Sequence, residues 1–366
     1  DPRPLAVDDL FRIYSMTKPI TAVAMMQLYE QGKFLLTDPV SKFIPEFKSM
    51  TVLKDGEVVA AEGEMTMQQL LTHTTGLTYG FGFDPDDALD KMYGEAKLWL
   101  AKDLDDFIER LAALPLRYEP GDRFHYSVAI DVAGVVVQRL SGQRYDVYLQ
   151  DHIFKPLDMV DTAFTVPADK MDRFLPLHII DSDGKAKAVD EFREPELLGY
   201  TFAAGCRAMC DFVDVTLYSG GGGLVSTLRD YVRFAEAIRN GGILGGKRIL
   251  SPKTIAFKTM NHVLASINSG TGKSITIDPV LPGSQYNGWG MGFGFGLVTD
   301  TVAQGTIGSA GQYYGGGAAS TIFWIDPVED IVVVSMMQLI VGLRSQRSYR
   351  PDLRVATYQA IIESKE

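Results

Sequence analysis

Three stretches of this chain combine residue types and spacing that can do chemistry. In Ser15-Met16-Thr17-Lys18 a hydroxyl and an amine stand three positions apart. On a helix such a pair projects from one face, so the amine can approach the hydroxyl. A desolvated lysine gives up its proton more readily, and the neutral amine can then take the serine proton. A helix N-terminus at the serine adds partial positive charge and N–H groups where an oxyanion would develop. The same pattern recurs in Ser182-Asp183-Gly184-Lys185, but there it lies in a polar turn with no apolar helix behind it. Only Ser15 and Lys18 have the setting that an activated nucleophile needs.

The second stretch is Tyr126-Ser127-Val128, which follows Tyr118-Glu119-Pro120-Gly121. A phenol beside an ammonium is acidified and can act as base or proton shuttle. Taken alone, one tyrosine among 16 reads as a core aromatic. The third stretch runs from Gly308 to Ala318 and holds five glycines. On a strand, glycines let a substrate lie against the backbone and leave N–H groups to donate; in a loop they make a turn.

Other matches carry no chemistry. Gly270-Thr271-Gly272-Lys273-Ser274 resembles a phosphate loop but has Ile267 where the leading glycine belongs. No Gly-x-Ser-x-Gly elbow occurs, so a nucleophile of the α/β-hydrolase kind is missing. His125 alternates to the opposite side of an extended chain from Tyr126 and reads as structural, as does His73 in its loop. Cys206 and Cys210 are too few for a disulfide framework or a metal site and read as two small buried residues. No metal or organic cofactor is expected.

The elements that must position these groups follow from periodicity. Ile20, Val23, Ala24, Gln27, Leu28 and Gln31 keep a 3.6-residue period that predicts a helix ended by Gly32, with Pro19 in its first turn. Helical patches are predicted at Met65 to Leu71 and at Leu104 to Leu111. From Gly288, the residues Trp289, Met291, Phe293 and Phe295 alternate with glycines and predict a strand. Thr321 to Ile325 and Ile331 to Val334, joined by five turn-forming residues, predict an antiparallel hairpin. A closing helix opens near Pro351, with Leu353, Ala356, Ala360 and Ile361 as its apolar face. The fold class expected is α+β, an antiparallel sheet flanked by helices plus a mostly helical lobe. The sheet part takes residues 1–37 and 216–366, the lobe residues 38–215, and the active site lies between them.

Composition excludes two function classes. The 366 residues carry 46 acidic against 35 basic side chains, a net charge of −11, which repels phosphate backbones and argues against a nucleic-acid partner. The longest apolar runs, such as Ile331 to Leu343, fall short of the roughly 20 residues needed to span a bilayer. Hydrophobic residues, at 46%, suffice for a large core without disulfide or metal staples.

The ordered set of motifs resembles the serine β-lactamase and penicillin-recognising superfamily. Ser15 to Thr21 is similar to its nucleophile helix, and Gln31-Gly32-Lys33 through Phe47 to the segment that follows. Leu70-Leu71-Thr72-His73-Thr74-Thr75-Gly76-Leu77 resembles its loop signature, and Tyr126-Ser127 its tyrosine motif, 111 residues beyond Ser15. Ser219 to Leu224 with Ser226 to Asp230 resembles the late glycine turn and helix entry. The resemblance covers essentially the whole chain and implies a β-lactamase/transpeptidase-like fold.

Departures from the family pattern point to its esterase branch. Penicillin-processing members carry Asn two residues after the tyrosine, where this chain has Val128. They also carry a cationic or polar strand motif, whereas no lysine or histidine stands between Gly305 and Asp330. An anionic lactam would lose a charge-assisted bond there, about 1.5–3 kcal/mol, while a neutral ester loses nothing. The chain is most similar to family VIII carboxylesterases, whose strand motif is Trp-Gly-Gly. Gly315-Gly316-Gly317 matches it with glycine replacing the tryptophan, and an alternative alignment puts Ser309-Ala310-Gly311 there.

The resemblance implies a serine carboxylesterase acting on short-chain or small esters through an acyl-serine. The alternatives are a β-lactamase, a D-alanyl carboxypeptidase-like hydrolase, and an acyltransferase using the same acyl-enzyme. It assigns Ser15, Lys18 and Tyr126 to catalysis. Ala318, Gly317, Gly316, Gly315, Val128 and Ser309 are assigned to the oxyanion hole and substrate binding. Members carry further elements before the nucleophile, so an N-terminal segment is expected to be absent here, and with it any signal peptide. A cytoplasmic rather than periplasmic location is expected, and the oligomeric state is left open.

Overall fold

The computed structural model describes residues 3–80, 86–180, 185–188, 196–197, 200–201, 212–263, 276–277, 286–340 and 349–365. Cys206, Cys210, the serine of the second Ser-x-x-Lys pattern and the Gly270–Ser274 stretch lie outside these residues.

The helix expected after Ser15 spans Thr17–Glu30 and ends at Gln31, with Gly32 in the left-handed region at φ 69°. The period predicts one apolar face, yet every residue from Thr17 to Leu28 is buried. The helix is central and is covered on all sides, as its Ala- and Met-rich sequence permits. Against it packs a second buried helix, Ala129–Ser141, closed by Gly142 at φ 70°. The short helix Met67–Leu71 starts from a capping box: the Thr66 hydroxyl accepts from Gln69 N–H and the Gln69 side chain accepts from Thr66 N–H. The helix Leu104–Ala112 buries Leu104, Phe107, Ile108 and Leu111 on one face.

The main sheet has five antiparallel strands in sequence order: Trp289–Met291, Gly296–Val298, Tyr313–Gly316, Ile322–Asp326 and Ile331–Ser335. The expected hairpin is present, with Phe323 opposite Val334 and Ile325 opposite Val332. Side chains alternate across it as a two-residue period requires. Phe323 and Ile325 face the main core, while Ile322 and Trp324 face the C-terminal helix. The expected single strand through Phe295 is instead two strands joined by a turn. Gly294, at φ 83°, makes the turn and touches the central helix, where a Cβ would come within 2.7 Å of Ala22 Cβ. Phe293 and Phe295 are thereby both buried. The C-terminal helix, Tyr349–Gln359, meets expectation in part: Leu353 and Ile361 pack in the Trp324 cluster, whereas Ala356 and Ala360 are exposed. Tyr349 and Tyr358 take the places expected of the alanines.

One apolar core contains Met16 and Phe323 from the sheet part together with Val52, Leu111 and Val136 from the segment 38–215. Among the described residues no helix is long and apolar enough to cross a membrane.

Candidate active site

Ser15 occupies a single 3-10 turn, Tyr14–Met16, that runs directly into the helix Thr17–Glu30. Tyr14 is held in the left-handed region, at φ 41°, which bends the chain just before the serine. Burial pushes the Tyr14 phenol up to about 12, so it stays neutral. Lys18 lies one turn along the helix, only 4% exposed, and its Nζ is 3.1 Å from Ser15 Oγ. A second Lys18 N–H donates to the Gly221 carbonyl at 2.7 Å. The amine therefore lies between the serine hydroxyl and a fixed backbone acceptor.

Tyr126 brings its ring to the same place: Lys18 Nζ is 4.5 Å from the ring centroid. The ring of Tyr79 is 5.2 Å from that nitrogen, and the two phenol rings lie 5.5 Å apart. Both aromatic faces turn toward a cation, an attraction of about 0.5–2 kcal/mol each when water is excluded. Tyr126 precedes the helix Ala129–Ser141, and its loop is held by His73. The His73 carbonyl accepts from His125 N–H at 2.8 Å, and its Nδ1 accepts from Ser127 N–H at 3.2 Å. Nδ1 is thus the acceptor nitrogen, and the ring, 4.7 Å from Tyr126, carries its proton on Nε2. Burial, and then the charges of Lys18 and His125, hold His73 well below the usual histidine range. His125 is turned to Thr78, with Nε2 and Oγ1 3.0 Å apart.

The glycine segment divides in two. Ser309 to Gln312 form a bend, and Tyr313–Gly316 form the central strand. The strand continues past the nucleophile turn: a Cβ on Gly317 would lie 2.3 Å from the Ile13 carbonyl oxygen. Ala318, next along, is exposed. A Cβ at Gly315 would come 2.8 Å from the Phe323 ring, so that ring lies where a side chain at 315 would start. Val128 has no exposed surface, and Ser309 is buried in the bend with its N–H on Asp326. Neither side chain is brought to the cleft.

Sequence reasoning missed three groups. Gly221 and Tyr79 reach Lys18 only through the fold. Arg350, from the C-terminal helix, reaches the glycine strand and donates to the carbonyls of Gly317 and Thr321 at 2.9 and 3.0 Å. Its guanidinium lies where the Cβ of Gly316 would point, on the opposite face of the strand from Ile13. The signal for Gly221 was visible as the run Ser219-Gly220-Gly221-Gly222-Gly223, whose function only the contact reveals. Among the described residues no three His, Cys, Asp or Glu side chains are placed to hold a metal.

The chain matches the Beta-lactamase family over residues 1–356. Esterase EstB of Burkholderia gladioli is 32% identical over 329 residues, 88% of this chain and 76% of that protein. Protein Rv1367c of Mycobacterium tuberculosis is 31% identical over 92% of this chain and 79% of its own length. Among solved structures, EstCE1, described as a hydrolase with promiscuous acyltransferase activity, superposes with a TM-score of 0.75 at 26% identity. It covers 97% of this chain and 86% of its own. Unliganded simvastatin synthase (LovD) of Aspergillus terreus gives a TM-score of 0.71 at 25% identity, covering 93% of this chain and 81% of its own. The fold class expected from the motifs is the one these structures share.

Proposed function

The chain belongs to the beta-lactamase family and is a serine hydrolase of that fold, and from that premise we propose that it is a carboxylesterase for small neutral esters. The single observation that carries this reading is the Ser15 Oγ to Lys18 Nζ contact at 3.1 Å with the Tyr126 ring against the same nitrogen.

In the proposed reaction Ser15 Oγ attacks the ester carbonyl, and its proton passes to the Lys18–Tyr126 pair. The tetrahedral oxyanion is held by the N–H groups of Ser15 and Ala318; one such donor is worth ~10²–10³ in rate. The C–O bond to the alcohol breaks, the pair returns the proton to the departing oxygen, and an acyl-serine remains. Water, deprotonated by Tyr126, then releases the acid.

Preference for a neutral ester rests on charge. The strand offers no lysine or histidine to a substrate carboxylate, and Arg350 is spent on two backbone carbonyls on the far face. Acyl transfer to an alcohol is a second reading of the same acyl-enzyme, favoured by the description of the similar EstCE1 as a hydrolase with promiscuous acyltransferase activity. Turnover of a short-chain nitrophenyl ester and of a chromogenic cephalosporin by the wild type and Ser15→Ala tests the proposal. Ester turnover that disappears with Ser15 is expected. Retained ester turnover in the variant, or faster cephalosporin turnover in the wild type, would overturn it. Product analysis with added alcohol separates hydrolysis from transfer.

A further inference from the structure

The helix Ala129–Ser141 carries one acidic side chain, Asp131, in an otherwise apolar run. It is 2% exposed, yet it is amply partnered. Its Oδ1 accepts from the Ser219 hydroxyl and, at 2.9 Å, from Gly221 N–H; its Oδ2 accepts from the Tyr79 hydroxyl at 3.3 Å. All three partners donate, which is the set an ionised carboxylate wants.

These contacts lead to the nucleophile. Ser219 Oγ accepts from Gly222 N–H at 3.0 Å. That N–H and the Gly221 carbonyl belong to one peptide group, so the bonds run from carboxylate to hydroxyl to peptide to the Lys18 ammonium. Each bond polarises the next. No side chain fits at 221, since a Cβ would lie 2.3 Å from Asp131 Oδ2 and 2.7 Å from the Tyr79 oxygen.

We infer that Asp131 is a positioning residue: it clamps the 219–222 turn so that the Gly221 carbonyl takes one Lys18 N–H and the amine is aimed at Ser15 Oγ. The inference rests on the reading of Ser15, Lys18 and Tyr126 proposed above. The groups facing this pair are Tyr79 and His73 from the loop after Met67–Leu71, Tyr126, and Tyr145, whose neutral phenol is bonded to Thr21 Oγ1. Asp131 is a buried carboxylate whose charge interacts with Lys18. Burial raises Asp131 above the usual carboxylate range, and the Lys18 charge is the largest influence opposing it.

The test compares kcat and KM of nitrophenyl ester hydrolysis for the wild type, Asp131→Asn and Ser15→Ala. Asp131→Asn keeps the shape and removes the charge. Its kcat should fall at least about tenfold with KM within about twofold. An Asp131→Asn enzyme with wild-type kcat overturns the inference while a dead Ser15→Ala leaves the catalytic reading standing; an active Ser15→Ala instead removes that reading. Should Asp131→Asn fail to fold, Ser219→Ala decides. It cuts the relay but keeps the charge, so kcat should drop about threefold or more with KM within about twofold, and an unchanged kcat overturns the inference.

Discussion

Lys18 and Lys258 are both buried amines, and the fold treats them in opposite ways. Lys18 has two acceptors, Ser15 Oγ and the Gly221 carbonyl, and a carboxylate behind the second. Lys258 ends the helix Pro252–Lys258 inside the aromatic core, with Nζ 4.0 Å above the Phe295 ring and no hydrogen-bond acceptor among the described residues. Burial holds Lys258 well below the usual lysine range. Its amine is a buried donor with no acceptor among the described residues, which costs stability. Burial alone thus does not make a lysine functional. What separates the two is the backbone and side-chain oxygens collected around one and withheld from the other.

Substitutions can break this contrast. Lys18→Met should give the largest effect, a loss of ~10²–10⁴ in kcat for nitrophenyl ester, the usual span for removing an acid–base group; steady-state assays of purified variant would expose any smaller loss. Gly221→Ala comes next. Its methyl would collide with Asp131 and Tyr79 and displace the Lys18 acceptor, leaving Lys18 in a state closer to that of Lys258. A kcat drop of at least about tenfold is expected, larger than the loss in thermal stability would predict.

Lys258→Met should do the reverse. Activity stays within about twofold, while removal of the unpaired donor raises stability by about 1–3 kcal/mol. The pH sign is fixed by linkage. The unfolded chain binds a proton on Lys258 that the folded chain does not, so this residue makes stability rise with pH between its folded value and the ordinary 10.5. Urea unfolding across that window should show the rise in the wild type and a flatter line in the variant. Tyr79→Phe is the smallest change: it keeps the ring near Lys18 and removes the hydroxyl that donates to Asp131, so kcat should fall less than about tenfold.

How far the sequence foretold this arrangement depends on the range of the interaction. The Ser15–Lys18 pairing follows from helical spacing, and the Ile322–Ser335 hairpin from alternation and its turn. Both are local. The position of Gly294 as a turn was hidden, because aromatic-glycine alternation reads as strand until the central helix is in place. Gly221, Tyr79 and Arg350 were hidden for the same reason, since Gly221 and Tyr79 act across more than 60 residues of chain and Arg350 across about 30. Asp131 offered one clue, an acid alone in an apolar helix, which only has meaning once its three donors are seen.

The close pass of Gly317 over the Ile13 carbonyl restricts what drift can do to this enzyme. A methyl group there would have to pry the strand away from the serine turn, so codon changes at 317 are a dead end for retuning selectivity. New substrate ranges have to arise at other positions, while this pinch point holds the strand against the serine turn.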